Sequence, residues 1–195
     1  MKRMAISTLF GVLFSVVIAV TQGPPPKPTP APELKKLDYF VGTWKSTGEL
    51  KPGPMGPGGK FTSIERNEWM PGHFFLVTHG DSNGVIGHVI ETAYFGYNAE
   101  DKNYTYDAFN SMGEAEHFKG NVEGDTWTWI STEKMGGQTM KARFILTIAS
   151  PTTYSFKFEI APEGGGDYTT VVEGKATKVV AAKAAKGAEG GAVKK

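Results

Sequence analysis

The chain of 195 residues has no cysteine. Disulfides, an N-terminal lipid-modified cysteine and thiolate metal sites are therefore excluded, and the fold has to be held by its apolar core. Net charge is nearly absent too: 21 Lys and Arg against 20 Asp and Glu leave +1. That balance gives no electrostatic footprint for a nucleic-acid partner. Between the two ends no stretch repeats its apolar residues with the period of a helix. There is no nucleophile elbow, phosphate loop, zinc-protease helix or dinucleotide fingerprint. The run Gly53-Pro54-Met55-Gly56-Pro57-Gly58-Gly59 is glycine-rich, but it is broken by proline and lacks the Lys-Ser/Thr ending that a phosphate cradle needs.

The ends of the chain are easily read. Met1-Lys2-Arg3 followed by an apolar run from Met4 to Val20 has the charged head and hydrophobic middle of a secretory signal peptide. The small residues of Val17-Ile18-Ala19 place cleavage after Ala19, so residues 1–19 read as signal and the mature protein as periplasmic or secreted, without stable membrane insertion. Residues 20–36 include Gly23-Pro24-Pro25-Pro26-Lys27-Pro28-Thr29-Pro30-Ala31-Pro32-Glu33, whose fixed dihedrals predict an extended, solvated linker. Residues 180–195 are almost wholly Ala, Lys, Gly and Glu and predict a disordered tail. Residues 37–179 remain, enough for one domain with a core of its own.

Within that domain, short aromatic and β-branched runs recur between Gly, Pro, Asn and Asp clusters. Strands are predicted near 42–50, 60–70, 73–80, 86–97, 103–111, 114–122, 126–132, 139–149, 154–161 and 167–178. Sequential hairpins without a crossover helix make an all-β antiparallel meander. Closing it as an up-and-down barrel of about ten strands removes the exposed edges. Trp44 is expected to be buried at one end of this barrel, and the Gly53–Gly59 run to lie over its mouth.

Turn chemistry sets the expected registers. A two-residue turn at Asn83-Gly84 opposes His79 to His88, Val77 to Ile90 and Leu76 to Glu91. Gly136-Gly137 opposes Trp129 to Phe144 and Trp127 to Leu146. At Pro151 a three-residue loop opposes Leu146 to Phe158 and Ile148 to Phe156, and the same apolar face continues through Ile160, Tyr168, Thr170 and Val172. The second half of the barrel thus has one clear apolar face. The first half does not. Pairing across Pro71-Gly72 gives one face with Glu65, Asn67, Trp69, Phe74, Leu76, Glu91, Phe95 and Tyr106, and another with Ile64, Arg66, Glu68, Phe75, Val77, His79, Ile90 and Tyr94. Mixed faces point to a cavity holding polar groups, and the face with Glu65 and Glu91 is read as interior.

The Gly42-Thr43-Trp44 opening, Met70-Pro71-Gly72-His73-Phe74-Phe75-Leu76, Gly96-Tyr97-Asn98, Asn110-Ser111-Met112-Gly113 and Lys141-Ala142-Arg143 together resemble a bacterial family of exported, calycin-like barrels of unknown function. The likeness runs from about Leu37 to Val179. Pro71 and Asn98 depart from the family pattern, which usually has Gly-Gly and Gly-Tyr-Asp there. The wider group that the Gly-x-Trp opening resembles includes lipocalins, fatty-acid-binding proteins and haem-binding nitrobindins, so the resemblance implies a small apolar ligand inside the barrel. Nitrobindin-like proteins hold haem iron through a late histidine. The last histidine here is His117, which disfavours haem, and no cofactor is predicted.

Three functional classes follow: a barrel binding a small apolar or amphipathic molecule, a non-catalytic scaffold module, and a barrel enzyme using interior carboxylates. The first is preferred, because a mixed first half and an aromatic second half suit a ligand with an apolar body and a polar end. Its expected contacts are Trp44, Glu65, Glu91, Tyr106, Trp129, Phe144 and Phe158, with Trp129, Phe144 and Phe158 forming the apolar floor. Glu65 and Glu91 read as structural acids rather than catalytic ones, and no catalytic residue is assigned. His79 and His88, if directly opposed, have Cβ atoms about 4.5–5.5 Å apart and are weak candidates for a shared metal.

Overall fold

The computed structural model describes residues 27–53 and 55–180. The predicted signal peptide, residues 20–26 of the predicted linker and the predicted tail from residue 181 lie outside them. Ten strands follow one another in chain order: β1 Gly42–Leu50, β2 Gly59–Trp69, β3 Leu76–Gly84, β4 Gly87–Asn98, β5 Asn103–Asn110, β6 Ala115–Glu123, β7 Thr126–Met135, β8 Gln138–Ser150, β9 Thr153–Pro162 and β10 Thr169–Lys178. Each pairs antiparallel with its neighbours, and β1 pairs with β10, closing the barrel. Closure leaves no free edge among these strands, the outcome the short aromatic runs and glycine-bounded turns favour.

The linker ends sooner than the proline pattern predicts. Pro32–Phe40 forms a 3₁₀ helix with Pro at its start and an extended Ala31 before it. Proline's fixed φ and missing donor suit that first helical position. Leu34, Leu37 and Phe40 from this helix are buried in the core. The helix caps one end of the barrel. The Tyr39 hydroxyl donates to the carbonyls of Ser150 and Thr153 in the β8–β9 connection, each at 2.9 Å. Tyr104 Oη donates to the Glu33 carbonyl and Trp69 Nε1 to Asp38 Oδ1. Trp44 lies beneath, fully buried, with Nε1 donating to the Phe40 carbonyl at 2.7 Å.

Interior faces match expectation except at Phe74 and Thr170, while several registers move by whole pairs of residues. The β3–β4 turn is Val85-Ile86, with Gly84 opposite Gly87, Asn83 opposite His88 and Leu76 opposite Phe95. Asn83-Gly84 stays in the ladder because Gly84 lies against Phe61: a Cβ on Gly84 would meet Phe61 Cβ at 2.5 Å. Glycine here serves a close approach rather than a turn. At Pro71-Gly72 the loop is wider than two residues, closed by Met70 N donating to the Phe75 carbonyl. His73 takes a positive φ of 59 there and its ring stacks on Trp69. Phe74 therefore leaves the predicted interior face and is exposed.

The Gly136-Gly137 register is as predicted, with Trp129 opposite Phe144 and Trp127 opposite Leu146. After β8 the loop is shorter than expected, Ser150 pairing with Thr153, and an irregularity between Ile148 and Ser150 restores the apolar face, opposing Leu146 to Phe156 and Phe144 to Phe158. A second irregularity between Thr170 and Val172 takes Thr170 off the predicted interior face and pairs it with Glu159, while Val172 meets Phe158. A bulge of one residue reverses which face the following residues present, and a period-two pattern cannot reveal it.

Candidate ligand-binding cavity

Inside the barrel is a cavity of about 260 Å³. At about 30 Å³ per molecule this is room for some eight waters. Phe40 from the capping helix borders it, as does Met55 from the β1–β2 connection at the other end of the barrel. Its walls differ in chemistry. From β8 to β10 it is lined by Phe144, Leu146, Phe156, Phe158 and Val172, with the Tyr154 ring among them. From β2 to β6 it is lined by the rings of Phe61, Phe95 and Phe118 and by three carboxylates and Asn67, the polar groups being set on two adjacent interior rows. One row runs from Glu65 through Gly80 to Glu91, and the next from Asn67 through Thr78, Ala93 and Ala108 to Glu116. Gly80, Ala93 and Ala108 are the small residues between the polar ones.

Two tyrosines cross to the carboxylates. Tyr106 Oη donates to Glu91 Oε1 at 3.1 Å, and Tyr154 Oη to Glu65 Oε2 at 3.4 Å. Ser82 Oγ donates to Ser63 Oγ at 2.9 Å. Asn67 Nδ2 donates to the Phe40 carbonyl at 2.9 Å. Asn67 Oδ1 and Thr78 Oγ1 are buried without a protein hydrogen-bond partner. None of the lining residues is Lys, Arg or His.

This setting disfavours ionised carboxylates. Burial, then the Glu91 charge, pushes Glu65 up to about 7 against the opposing Tyr154 hydrogen bond. Burial raises Glu91 as well, again opposed by its tyrosine. Burial, then Glu91, Glu133 and Glu114, pushes Glu116 up to about 7. Tyr106 and Tyr154 are held well above the ordinary tyrosine range, chiefly by burial, and remain neutral donors.

Of the residues predicted to contact a ligand, Glu65, Glu91, Tyr106, Phe144 and Phe158 line one cavity. Trp44 and Trp129 do not. Trp44 belongs to the capped end. Trp129 is fully buried within the aromatic core, where it contacts Phe95, Tyr106 and Phe144 and stacks on Trp127. The predicted floor of Trp129, Phe144 and Phe158 therefore loses its tryptophan, and Phe156 and Leu146 complete it instead.

Sequence reasoning missed Glu116. Its signal was the aromatic pair Tyr106 and Phe118, which opposes Ala108 to Glu116 once the β5–β6 register is set. Tyr154 was missed too, although its alternation with Phe156 and Phe158 along β9 puts all three on one face. His79 and His88 are not opposed. His79 pairs with Thr92 and His88 with Asn83, and His88 Nε2 lies 3.0 Å from Asp81 Oδ1. The weak candidacy of this pair for a shared metal is thereby removed, since the turn lies two residues further along each strand. His117 Nδ1 is 2.8 Å from Asp107 Oδ1 on an exposed face.

The sequence model of a family described as "Protein of unknown function (DUF1579)" matches residues 29–178. No curated protein matches. Among solved structures, the crystal structure of Rv2717c from M. tuberculosis is similar with a TM-score of 0.55 at 14% identity, covering 77% of this chain and 99% of that one. The structure of EF1p2_mFAP2b bound to DFHBI matches with a TM-score of 0.40 at 11% identity, covering 75% of this chain and 98% of that one. At these identities the likeness concerns fold alone.

Proposed function

The chain belongs to this DUF1579 family of proteins of unknown function, and we propose that it is an exported barrel that binds a small amphipathic molecule in its interior. The observation that carries this reading is the uneven lining of the cavity: the wall on β8–β10 is apolar and aromatic, while all the lining carboxylates stand on β2–β6, interleaved with Phe61, Phe95 and Phe118. A barrel built only for rigidity gains most by filling its interior with apolar side chains at close packing. Here Glu65, Glu91 and Glu116 are retained inside at an electrostatic cost. Such a cost is commonly borne at sites that hold a ligand.

Export rests on the charged start and apolar run of residues 1–19, with the proline-rich segment acting as a spacer between the secretion signal and the barrel. Native mass spectrometry of the protein purified from its own host tests both parts. The expected spectrum shows a chain beginning at Val20 and an additional mass lost on unfolding. A chain that retains residues 1–19 in the cytoplasmic fraction overturns export. A ligand-free spectrum, combined with no binding of the neutral probe N-phenyl-1-naphthylamine, overturns interior binding.

A further inference from the structure

The polar wall has an unbalanced supply of hydrogen-bonding groups. Three carboxylates and Asn67 Oδ1 accept. The tyrosine hydroxyl protons that reach this wall are already committed to Glu91 and Glu65. The orientation of the Asn67 amide is fixed by its neighbour: the Phe40 carbonyl can only accept, so Nδ2 must face it and Oδ1 is left as an acceptor. Asn67 is 6% exposed and Thr78 4%, and neither Asn67 Oδ1 nor Thr78 Oγ1 has a partner. The uncommitted hydroxyls of Ser46 and Thr78 can donate as well as accept, but the carboxylates and Asn67 Oδ1 outnumber them, so the cavity presents more acceptors than donors.

We propose that the ligand is an organic ammonium with an apolar body, its N–H groups directed at Glu65, Glu91, Glu116, Asn67 Oδ1 and Thr78 Oγ1 and its body on the aromatic wall. This rests on the interior-binding reading and names the class of molecule. A carboxylate ligand of the kind many small barrels hold needs a basic partner, and none lines this cavity. The cation at the interior's edge, Lys178, is engaged elsewhere: its Nζ donates to the Tyr39 carbonyl at 3.0 Å and lies 5.2 Å from the Trp44 ring. The carboxylates are also distributed across β2, β4 and β6. Among the described residues no three acidic or histidine side chains converge to hold a metal ion. An extended acceptor wall suits an organic cation bearing several N–H groups better than a point charge needing a tight shell. The rings of Phe95 and Tyr106 also line the cavity and offer faces to a cation.

The charge state of the wall adds a pH signature. The titratable groups facing these carboxylates are Tyr154 on β9 and Glu91 on β4 for Glu65, Tyr106 on β5 for Glu91, and Glu91, Glu133 on β7 and Glu114 in the β5–β6 turn for Glu116. β1, β3, β8 and β10 contribute Ser46, Thr78, Ser82, Phe144, Leu146 and Val172, none of which titrates. Glu65 and Glu116 protonate near 7 and then lose the charge that attracts an ammonium. A bound ammonium takes the place of those protons, so binding releases protons near neutrality.

The test uses the full chain purified from its host and three probes of equal length: octylamine, octan-1-ol and octanoate. At about pH 8 the expected order of affinity is octylamine, then octanol, then octanoate, with octylamine ahead of octanol by at least about tenfold. That preference shrinks at about pH 5, where octylamine is still charged but Glu65 and Glu116 are protonated. Glu116→Gln lowers the preference for octylamine over octanol by about tenfold. If the variant fails to fold, the pH dependence of the parent protein alone decides. Octanol or octanoate binding as tightly as octylamine, or a preference unchanged at about pH 5, overturns the ammonium proposal and leaves interior binding standing. Failure of all three probes to bind overturns both.

Discussion

The Tyr106 hydroxyl donates to Glu91 Oε1 at 3.1 Å in the barrel interior. This bond favours the ionised carboxylate while burial opposes it, and burial is the larger effect. Tyr106→Phe removes the donor and keeps the ring that packs on Phe95 and Phe118. Glu91 then moves further above the ordinary carboxylate range. The expected loss of stability is about 1–3 kcal/mol at about pH 8 and less at about pH 3, where a carboxyl raised above its ordinary value is protonated. Urea unfolding at the two pH values measures it, and an equal loss at both would show that packing rather than the hydrogen bond is at stake.

Glu65 gives a pH dependence of definite sign. Its carboxyl titrates at about 7 in the folded protein against 4.5 normally, so the folded state holds a proton that the unfolded state releases. Its contribution to stability is whole below about 4.5 and is lost as pH rises through 7, for a total of roughly 3 kcal/mol. Glu65→Gln should therefore stabilise the ligand-free protein by about 1–3 kcal/mol at about pH 8.5 and leave it nearly unchanged at about pH 4. Denaturant midpoints across this range provide the check. A variant less stable than its parent at the higher pH would contradict the assignment.

The interior position of Glu65 and Glu91 was legible because every register error in the first half was even: moving the β3–β4 turn from Asn83-Gly84 to Val85-Ile86 shifts partners by four residues and flips no side chain. The same shift destroyed the His79–His88 pair, since which residues are neighbours depends on the register itself. Thr170 was misplaced for a different reason. An irregularity before Val172 changes the face of what precedes it, and nothing in the alternation of Tyr168, Thr170 and Val172 announces an extra residue. Trp44 and Trp129 were read as ligand contacts because large aromatic residues face inward, yet inward also means the packed end and the packed core. Which inward positions border empty space depends on the volumes of all ten strands together.

On the outer surface, Arg143 Nε donates to Glu159 Oε2 at 2.8 Å, and Thr170 Oγ1 donates to Glu159 Oε1 at 3.1 Å. The Tyr168 ring covers the guanidinium at 4.0 Å. Burial alone would raise Glu159, but the hydrogen bonds from Arg143 and Thr170 outweigh it and hold the carboxyl below its ordinary value. The sign is thus opposite to that of Glu65: this stabilisation is present above the ordinary carboxylate pKa and is lost as pH falls through the lowered one. Arg143→Ala leaves a buried carboxylate with fewer partners and should cost about 1–3 kcal/mol at neutral pH. Combining it with Glu159→Gln should recover part of that loss, and strictly additive losses in the double-mutant cycle would show that the two residues are not coupled.

Gly120 opposes Trp129, and a Cβ on it would meet the indole at less than any real contact distance. Gly120→Ala therefore displaces a ring that contacts Phe95, Tyr106 and Phe144. Overpacking of this kind costs about 1–3 kcal/mol. Tryptophan emission and thermal unfolding of the variant should shift together. An unchanged melting temperature would mean that β6 and β7 are further apart than their pairing shows.

Phe158 offers a test of whether the aromatic wall borders a cavity or belongs to packed core. It is half-buried, lines the cavity and meets Phe118 edge-on at 6.3 Å between ring centroids. A ring locked in a dry core costs about 3–5 kcal/mol to truncate, because the void left behind cannot be refilled. At the edge of a cavity with polar lining, water can enter the space, and Phe158→Ala should cost less, about 1–2 kcal/mol. Leu37 in the capping helix is the matched control: it is fully buried and away from the cavity lining, so Leu37→Ala should cost the full 2–5 kcal/mol. The two variants should also part in binding. Phe158→Ala removes a portion of the aromatic wall and enlarges the space, so octan-1-ol weakens while a bulkier apolar body such as naphthalen-1-ylmethanol gains. Leu37→Ala changes neither, provided the measurement is made where it remains folded. Calorimetric unfolding and probe titration of both variants provide the comparison, and equal stability losses with unaltered probe selectivity would place Phe158 in packed core rather than at a ligand.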